Sequence, residues 1–207
     1  NKSTPIQNIE VSDQGGLGKT YLSSKNEDLP ALGYNLIIQN LGEALLDNIK
    51  KINNISIFEN TKLTNINNIK PNLSSININN NINKQIFGKL ITATDGANSY
   101  TRKLLNLRAK TKSFNQHAVI TTIALKRPHT DTAYERFTSD GPIGLIPCIV
   151  NNNKTQMSLV WATNENKAQE LANTNKKDFL EQLQINFGYK CGKFIDCGKR
   201  TTYPLTQ

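Results

Sequence analysis

The chain has 207 residues, 37% of them hydrophobic, and its 25 Lys and Arg against 16 Asp and Glu give a formal net charge of +9. This length allows one large domain or two small ones, with a core that needs no metal or disulfide for folding. The three cysteines form no C-x-x-C pair and the two histidines lack the spacing of a metal site, so we expect neither a disulfide framework nor a bound metal. The basic residues form no long run, which argues against a nucleic-acid-binding domain.

No signal peptide and no long apolar segment occur in the sequence, and a cytoplasmic location is expected. The chain begins at Asn1 without methionine and ends at Gln207, just after a segment typical of a strand. We therefore expect an internal segment of a longer protein.

The first predicted elements are short strands and one helix. Weak alternation predicts a strand over 6–12, and a second strand over 19–22 follows a glycine-rich turn. Apolar residues from Leu41 to Ile49 recur at helical spacing and predict an amphipathic helix over 39–51.

An Asn- and Ile-rich stretch follows, over 52–86. Ile55 and Ile57, like Ile76 and Ile78, are two residues apart on either side of a Pro71-Asn72 turn, which predicts short strands. The three-residue spacing of Leu63, Ile66 and Ile69 does not fit a strand, so 63–69 stays unassigned. Disorder is the competing interpretation of this polar stretch.

The remaining pattern is rich in strands. Strands are predicted over 89–94, 117–126, 133–138, 144–150 and 156–162, with a helical turn from Tyr100 and a helix over 176–187 capped by Thr174 or Asn175. Glu135 and Arg136 are expected to form a surface or strand-edge pair. The whole pattern indicates an α+β (mixed α/β) fold with antiparallel meanders and few helices.

A glycine-rich segment, 15–20, has the sequence Gly-Gly-Leu-Gly-Lys-Thr, which is similar to a phosphate-binding loop. That loop requires a helix beginning at its Lys-Thr, so that the helix N-terminus faces the phosphates. The following residues carry no helical apolar stripe. We therefore predict a glycine-rich hairpin turn, with a P-loop nucleotide-binding domain as the weaker alternative.

A second motif, Asp95 to Arg102, has the form D-G-x-x-S-x-x-R between a predicted strand and a predicted helix. It combines a tight turn, N–H groups at a helix start, a carboxylate and a guanidinium, which suits a pyrophosphate and a ribose. Taken alone, an ordinary capped turn explains these residues as well.

The motif resembles the middle Asp-Gly fingerprint of the FAD-dependent aromatic hydroxylases. Further segments are similar, in the same order, to the ubiquinone-biosynthesis branch of that family: 9–15, 30–34, 133–138, 141–147, 158–161, 187–193 and 200–205. The family's first FAD fingerprint, G-x-G-x-x-G, and its later Gly-Asp block have no counterpart in these residues.

The resemblance implies a flavin monooxygenase of the para-hydroxybenzoate hydroxylase type, with FAD as cofactor, NAD(P)H as reductant and a prenylated phenol as substrate. It implies substrate-side sheet over 1–34 and 113–207, and part of an FAD-binding domain over 35–112. The expected FAD contacts are Asp95, Gly96, Ser99 and Arg102. The expected lining of the substrate cavity is Gly141, Ile143, Leu145, Pro147 and Trp161, for which plain sheet core is the alternative.

The resemblance also carries the expectation of peripheral association with the inner membrane face or with a ubiquinone-biosynthesis complex, and of no nucleic acid or metal partner. A catalytically inactive remnant of such an enzyme is the main alternative function.

Overall fold

The computed structural model describes residues 3–70, 72–79, 83–150 and 152–206. Its strands are β1 (Ser3–Ile6), β2 (Asn8–Asp13), β3 (Lys19–Ser23), β4 (Gly33–Leu36), β5 (Lys62–Lys70), β6 (Leu73–Asn79), β7 (Asn83–Gly88), β8 (Ser113–Leu125), β9 (Thr132–Phe137), β10 (Ile143–Val150), β11 (Asn153–Thr163), β12 (Phe194–Cys197) and β13 (Thr201–Thr206). Its helices are α1 (Ile38–Ile49), α2 (Tyr100–Leu104), α3 (Glu165–Asn173) and α4 (Lys176–Phe187). The predicted α+β class is confirmed.

The chain divides into two compact units, of which the larger combines residues 1–46 with 112–207. Its centre is an eight-stranded sheet in the order β12-β8-β11-β10-β9-β2-β3, with β13 pairing beside β12 on β8. All pairings are antiparallel except that of β2 with β9. A two-stranded ribbon, β1 with β4, is fastened to the second half of β10, where the Ile149 N–H donates to Thr4 Oγ1 at 2.7 Å.

Helices α3 and α4 lie on one face of this sheet and enclose its core. Strand side chains alternate between faces, and every second residue of β8, β10 and β11 points at the helices. The buried apolar cluster contains Val119, Ile123, Ile143, Leu145, Met157, Leu159 and Trp161 from the strands, with Leu171, Phe179, Leu183 and Phe187 from the helices.

The segment after α4 is held by one buried amide side chain. Gln184 Nε2 donates to the Gly188 carbonyl at 2.6 Å, and Gln184 Oε1 accepts from the Phe194 N–H at 2.9 Å. The same Nε2 lies 3.3 Å from the Gly192 carbonyl. This amide therefore fixes the turn that leads α4 into β12.

The smaller unit, 47–111, contains the antiparallel meander β5-β6-β7 and the short helix α2. The unassigned stretch 63–69 proves to be strand β5. Its register shifts between Leu63 and Asn65, so that Leu63 pairs with Ile78 and Ile66 with Ile76. A β-bulge of this kind moves the alternation by one residue, which explains the three-residue spacing between Leu63 and Ile66.

Two strand predictions in this unit are wrong. Ile55 and Ile57 lie in a turn-rich segment before β5, and 89–94 forms no strand. An extended segment becomes a strand only through hydrogen bonds to a neighbour, and within the described residues no segment pairs with 89–94. The domain boundaries predicted from the sequence, and the roles attached to them, stay predictions.

The glycine-rich segment is a hairpin turn, as predicted. Gly15 has a φ of +82° between β2 and β3, which pair antiparallel from Asn8 with Ser23 to Ser12 with Lys19. No helix follows Thr20, since β3 occupies Lys19–Ser23. The P-loop alternative is therefore wrong, because the helix N-terminus that would face a phosphate is missing from this part of the described chain.

Candidate functional site

The Asp-Gly motif forms a tight turn that leads into α2. Gly96 has a φ of +80°, and a Cβ placed there would meet no atom within 4 Å. The backbone conformation, not a lack of space, therefore selects glycine at this position. The exposed surface around it allows a ligand to approach the turn closely.

The Asp95 carboxylate accepts two hydrogen bonds from the residues that follow it. Ser99 Oγ donates to Oδ1 at 2.5 Å, and the Thr101 N–H donates to Oδ2 at 2.9 Å. Ser99 is the N-cap of α2, and its Oγ accepts from the Arg102 N–H at 3.0 Å. The Ser99 hydroxyl and the Thr101 N–H hold the pKa of Asp95 well below its usual range, so this carboxylate is ionised at neutral pH.

The structure brings the four predicted cofactor residues together. Arg102 Nη2 donates to the Ala97 carbonyl at 2.7 Å, which folds the guanidinium back over the turn. The N–H groups of Thr101 and Arg102 are taken by side chains, but those of Gly96, Ala97 and Asn98 make no hydrogen bond within the described chain. These three N–H groups suit an anionic oxygen, and the turn therefore fits the expectation of a pyrophosphate or ribose contact.

An apolar cavity of about 450 Å³ lies beside this turn, between the meander and residues 91–95. Its lining includes Leu63, Ile76, Ile86, Ile91 and Asp95. A single anionic group at the edge of an apolar cavity is a common arrangement for orienting a bound small molecule.

Three of the predicted substrate residues lie in the core under the helices. Ile143, Leu145 and Trp161 are fully buried, and Ile143 is paired with Trp161 across β10 and β11. Packing against α3 and α4 accounts for their apolar character. A lining role for these three side chains therefore stays a prediction.

The other two predicted residues shape the backbone. Gly141 has a φ of +113°, and a Cβ there would lie 2.0 Å from the Ala162 carbonyl oxygen, so only glycine fits. Pro147 is buried in β10, and its carbonyl accepts from Asn35 Nδ2 at 3.0 Å, which ties β4 to the sheet. Neither position requires a ligand to explain its residue.

The opposite face of the same strands is the better candidate for a substrate surface. There Gly144, Ile146 and Val160 alternate with the core residues, and Ile146 and Val160 are only partly buried. Beside Gly144 on this face lies Glu135, for which the sequence predicts a surface or strand-edge pair with Arg136. That expectation is wrong, because adjacent strand residues point to opposite faces; Arg136 instead donates from Nε to the Asn186 carbonyl at 3.1 Å. Because side chains alternate along a strand, a strand over 132–137 already places Glu135 and Arg136 on opposite faces of the sheet.

Two further structural facts concern the expected partners. No group of three or more His, Cys, Asp or Glu side chains that could hold a metal occurs among the residues described. Within the same residues, no helix has the length and apolarity needed to cross a bilayer.

Flavin-dependent enzymes are among the solved structures with a similar fold. A probable FAD-dependent monooxygenase from Pseudomonas aeruginosa, PqsL, aligns with a TM-score of 0.72 at 18% identity, over 88% of this chain and 50% of its own. The p-nitrophenol 4-monooxygenase PnpA from Pseudomonas putida aligns with a TM-score of 0.72 at 12% identity, over 99% and 52%. The fold is that of the FAD-dependent monooxygenases.

Two curated relatives belong to a more specific group of hydroxylases. The Dictyostelium discoideum ubiquinone biosynthesis monooxygenase COQ6 is 27% identical over 210 residues, which cover 88% of this chain and 41% of the relative. The Rhodospirillum rubrum ubiquinone hydroxylase UbiL is 23% identical over 99% of this chain and 46% of its own. The chain is thus a homologue of the ubiquinone-biosynthesis hydroxylases, at low identity.

The chain spans less than half the length of these two relatives. No protein-family model matches it.

Proposed function

We propose that this chain is part of a flavin-dependent monooxygenase that hydroxylates a prenylated phenol in ubiquinone biosynthesis. The observation that carries the proposal is the match to two ubiquinone-biosynthesis hydroxylases over 88% and 99% of the chain, which includes both compact units. The fold of the FAD-dependent monooxygenases supports the same reaction class. NAD(P)H, as the electron donor, and O₂ complete the reaction, which yields a ring hydroxyl group, water and NAD(P)⁺.

The residues that would hold FAD are those of the Asp95 turn. The free N–H groups of Gly96, Ala97 and Asn98 would donate to anionic or hydroxyl oxygens of the cofactor. The ionised Asp95 carboxylate stiffens the turn through Ser99 and Thr101. Bound FAD supplies the redox and oxygen chemistry, while the protein supplies binding and orientation.

The substrate would lie on the sheet face opposite α3 and α4. Ile146 and Val160 offer partly buried apolar surface for the ring and its hydrocarbon tail. The larger unit would therefore orient the phenol and keep water from its ring, while the Asp95 turn serves the cofactor. Association with a membrane or with a biosynthetic complex extends this proposal, because a prenylated substrate resides in lipid.

The test uses the full coding sequence that contains this chain. Purified protein should show the absorbance spectrum of bound flavin and should convert a short-chain prenylated phenol, NAD(P)H and O₂ to the hydroxylated product. A colourless protein that cannot be reconstituted with FAD would overturn the proposal.

Two variants of Asp95 separate flavin binding from folding. Asp95→Ala removes both oxygens that accept from Ser99 and Thr101, and hydrogen bonds to charged groups contribute about 1.5–3 kcal/mol. Because the turn would then no longer be held in place, we expect FAD to bind about tenfold or more weakly. Asp95→Asn keeps the acceptor for the Thr101 N–H and should retain the turn. Asp140→Ala, at an exposed turn of the larger unit, is the matched control and should bind FAD like the unchanged protein.

A further inference from the structure

Glu135 is a carboxylate on the sheet face opposite α3 and α4. Its neighbours in β9 point the other way: the Tyr134 ring lies 6.0 Å from the Phe187 ring of α4, and Arg136 donates to the Asn186 carbonyl. Because side chains alternate along a strand, Glu135 must point away from the helices.

The carboxylate of Glu135 has no partner in the described structure. It makes no hydrogen bond and no ion pair with any described residue, although its side chain is partly buried. Burial alone raises the pKa of Glu135 above its ordinary value. Neither carboxylate oxygen is among the buried side-chain atoms that lack a partner in the described structure. The carboxylate is therefore accessible, and a group from outside the chain can pair with it.

The surroundings of Glu135 on this face are apolar. Its cross-strand neighbours are Val11 in β2 and Gly144 in β10, and Val160 in β11 follows beyond Gly144. The next charged residue on this face of β2 is Asp13, which pairs with Phe137, two residues further along β9. Cations capable of neutralising Glu135 are thus missing from the neighbouring positions of the described strands.

The Glu135 carboxylate lies across β10 above Gly144. A Cβ at Gly144 would lie 3.2 Å from Glu135 Oε2, tighter than an ordinary contact. Any larger residue would therefore press on the carboxylate and displace it. Glycine lets the carboxylate lie over β10, next to the partly buried Val160.

We propose that Glu135 accepts a hydrogen bond from the hydroxyl group of the phenol substrate, whose ring lies on the adjoining apolar surface at Val160. This inference rests on the proposed function and adds a specificity-determining residue to it. A lone acceptor in apolar surroundings matches a ligand with one hydroxyl group on an apolar body. A site built to accept from a hydroxyl group discriminates strongly against an analogue that lacks it, since the acceptor is then left buried and unpaired.

The experiment compares a prenylated phenol with its methyl ether, which has the same shape but no hydrogen to donate. Binding of both probes to the full-length protein is measured by calorimetry, so that the readout does not depend on turnover. The unchanged protein should prefer the phenol by about tenfold or more. In Glu135→Gln the preference should fall to within about threefold, because the carboxylate, the stronger acceptor, is gone.

Glu181→Gln is the matched control, since Glu181 is an exposed residue of α4 on the helix side of the sheet. It should keep the full preference. A Glu135→Gln protein that folds and still prefers the phenol tenfold would overturn the role of Glu135 and leave the proposed function intact. Failure of the unchanged protein to bind either probe would instead overturn the proposed function.

Discussion

Replacing Trp161 by alanine tests whether this side chain belongs to the core or to a ligand cavity. Trp161 is fully buried on the helix side of the sheet, and its indole Nε1 has no hydrogen-bond partner in the described structure. Its contribution is therefore packing alone. A buried Trp removes about 200 Å² from water, which at about 25 cal/mol per Å² gives about 5 kcal/mol as an upper value. Measured losses for such truncations are about 3–5 kcal/mol.

We expect Trp161→Ala to lower the free energy of unfolding by about 4 kcal/mol, measured by urea titration with circular dichroism. The control is Tyr203→Ala, an aromatic residue of β13 that is 53% exposed and should cost less than about 1 kcal/mol. A loss below about 1 kcal/mol at Trp161, together with a large loss of phenol binding, would refute the core assignment and restore the predicted lining role.

Three further predictions concern the larger unit. Gln184→Leu should lower the free energy of unfolding by about 2–3 kcal/mol, measured by urea titration, because buried backbone groups lose their partners. The control Gln169→Leu, at an exposed position, should lower it by less than about 0.5 kcal/mol. Equal losses would contradict the role of the buried amide. Gly141→Ala should lower the free energy of unfolding by more than about 2 kcal/mol through backbone strain and a clash with the Ala162 carbonyl, whereas Gly42→Ala inside α1 should raise it by about 0.5–1 kcal/mol. An unchanged free energy of unfolding in Gly141→Ala would refute the strain. Glu135 has a raised pKa, so its ionised form destabilises the fold above the ordinary pKa of 4.5. Glu135→Gln should therefore raise the melting temperature at pH 7 and have little effect at pH 3, and a lower melting temperature at pH 7 would contradict an unpaired carboxylate.

Local patterns predicted most elements of the larger unit. The helix over 176–187 was predicted with the observed bounds, and Asn175, one of its two predicted caps, accepts from the Asp178 N–H at 3.0 Å. Helical periodicity and a capping side chain are local signals, so they can be recognised in the sequence without knowledge of the fold. Helix α3 was missed because Ala168 and Leu171 are its only fully buried residues, too few for a clear stripe.

Features that depend on partners could not be predicted. Residues 89–94 have the composition of a strand, yet pairing decides whether a strand forms. The bulge at Leu63 interrupts the alternation along β5, so a pattern based on strict alternation does not predict this strand.

The candidate site shows the same division. The Asp95 turn was found from sequence because its carboxylate, glycine and cap lie within a few residues of each other. The importance of Glu135 was missed because it depends on Gly144, a neighbour that only the sheet register supplies.

The parallel pairing of β2 with β9 makes the larger unit discontinuous in sequence. Asn8 pairs with Thr132 and Asp13 with Phe137. The two paired strands are therefore separated in sequence by the whole of 47–111, which must be synthesised before they can pair. Such a long-range contact carries a large loop-closure entropy and slows folding. A protease cut within 47–111 would leave two pieces that share one hydrophobic sheet, so they would stay associated without a covalent link. On a denaturing gel the protein would appear cleaved, while in solution it would still migrate as one molecule.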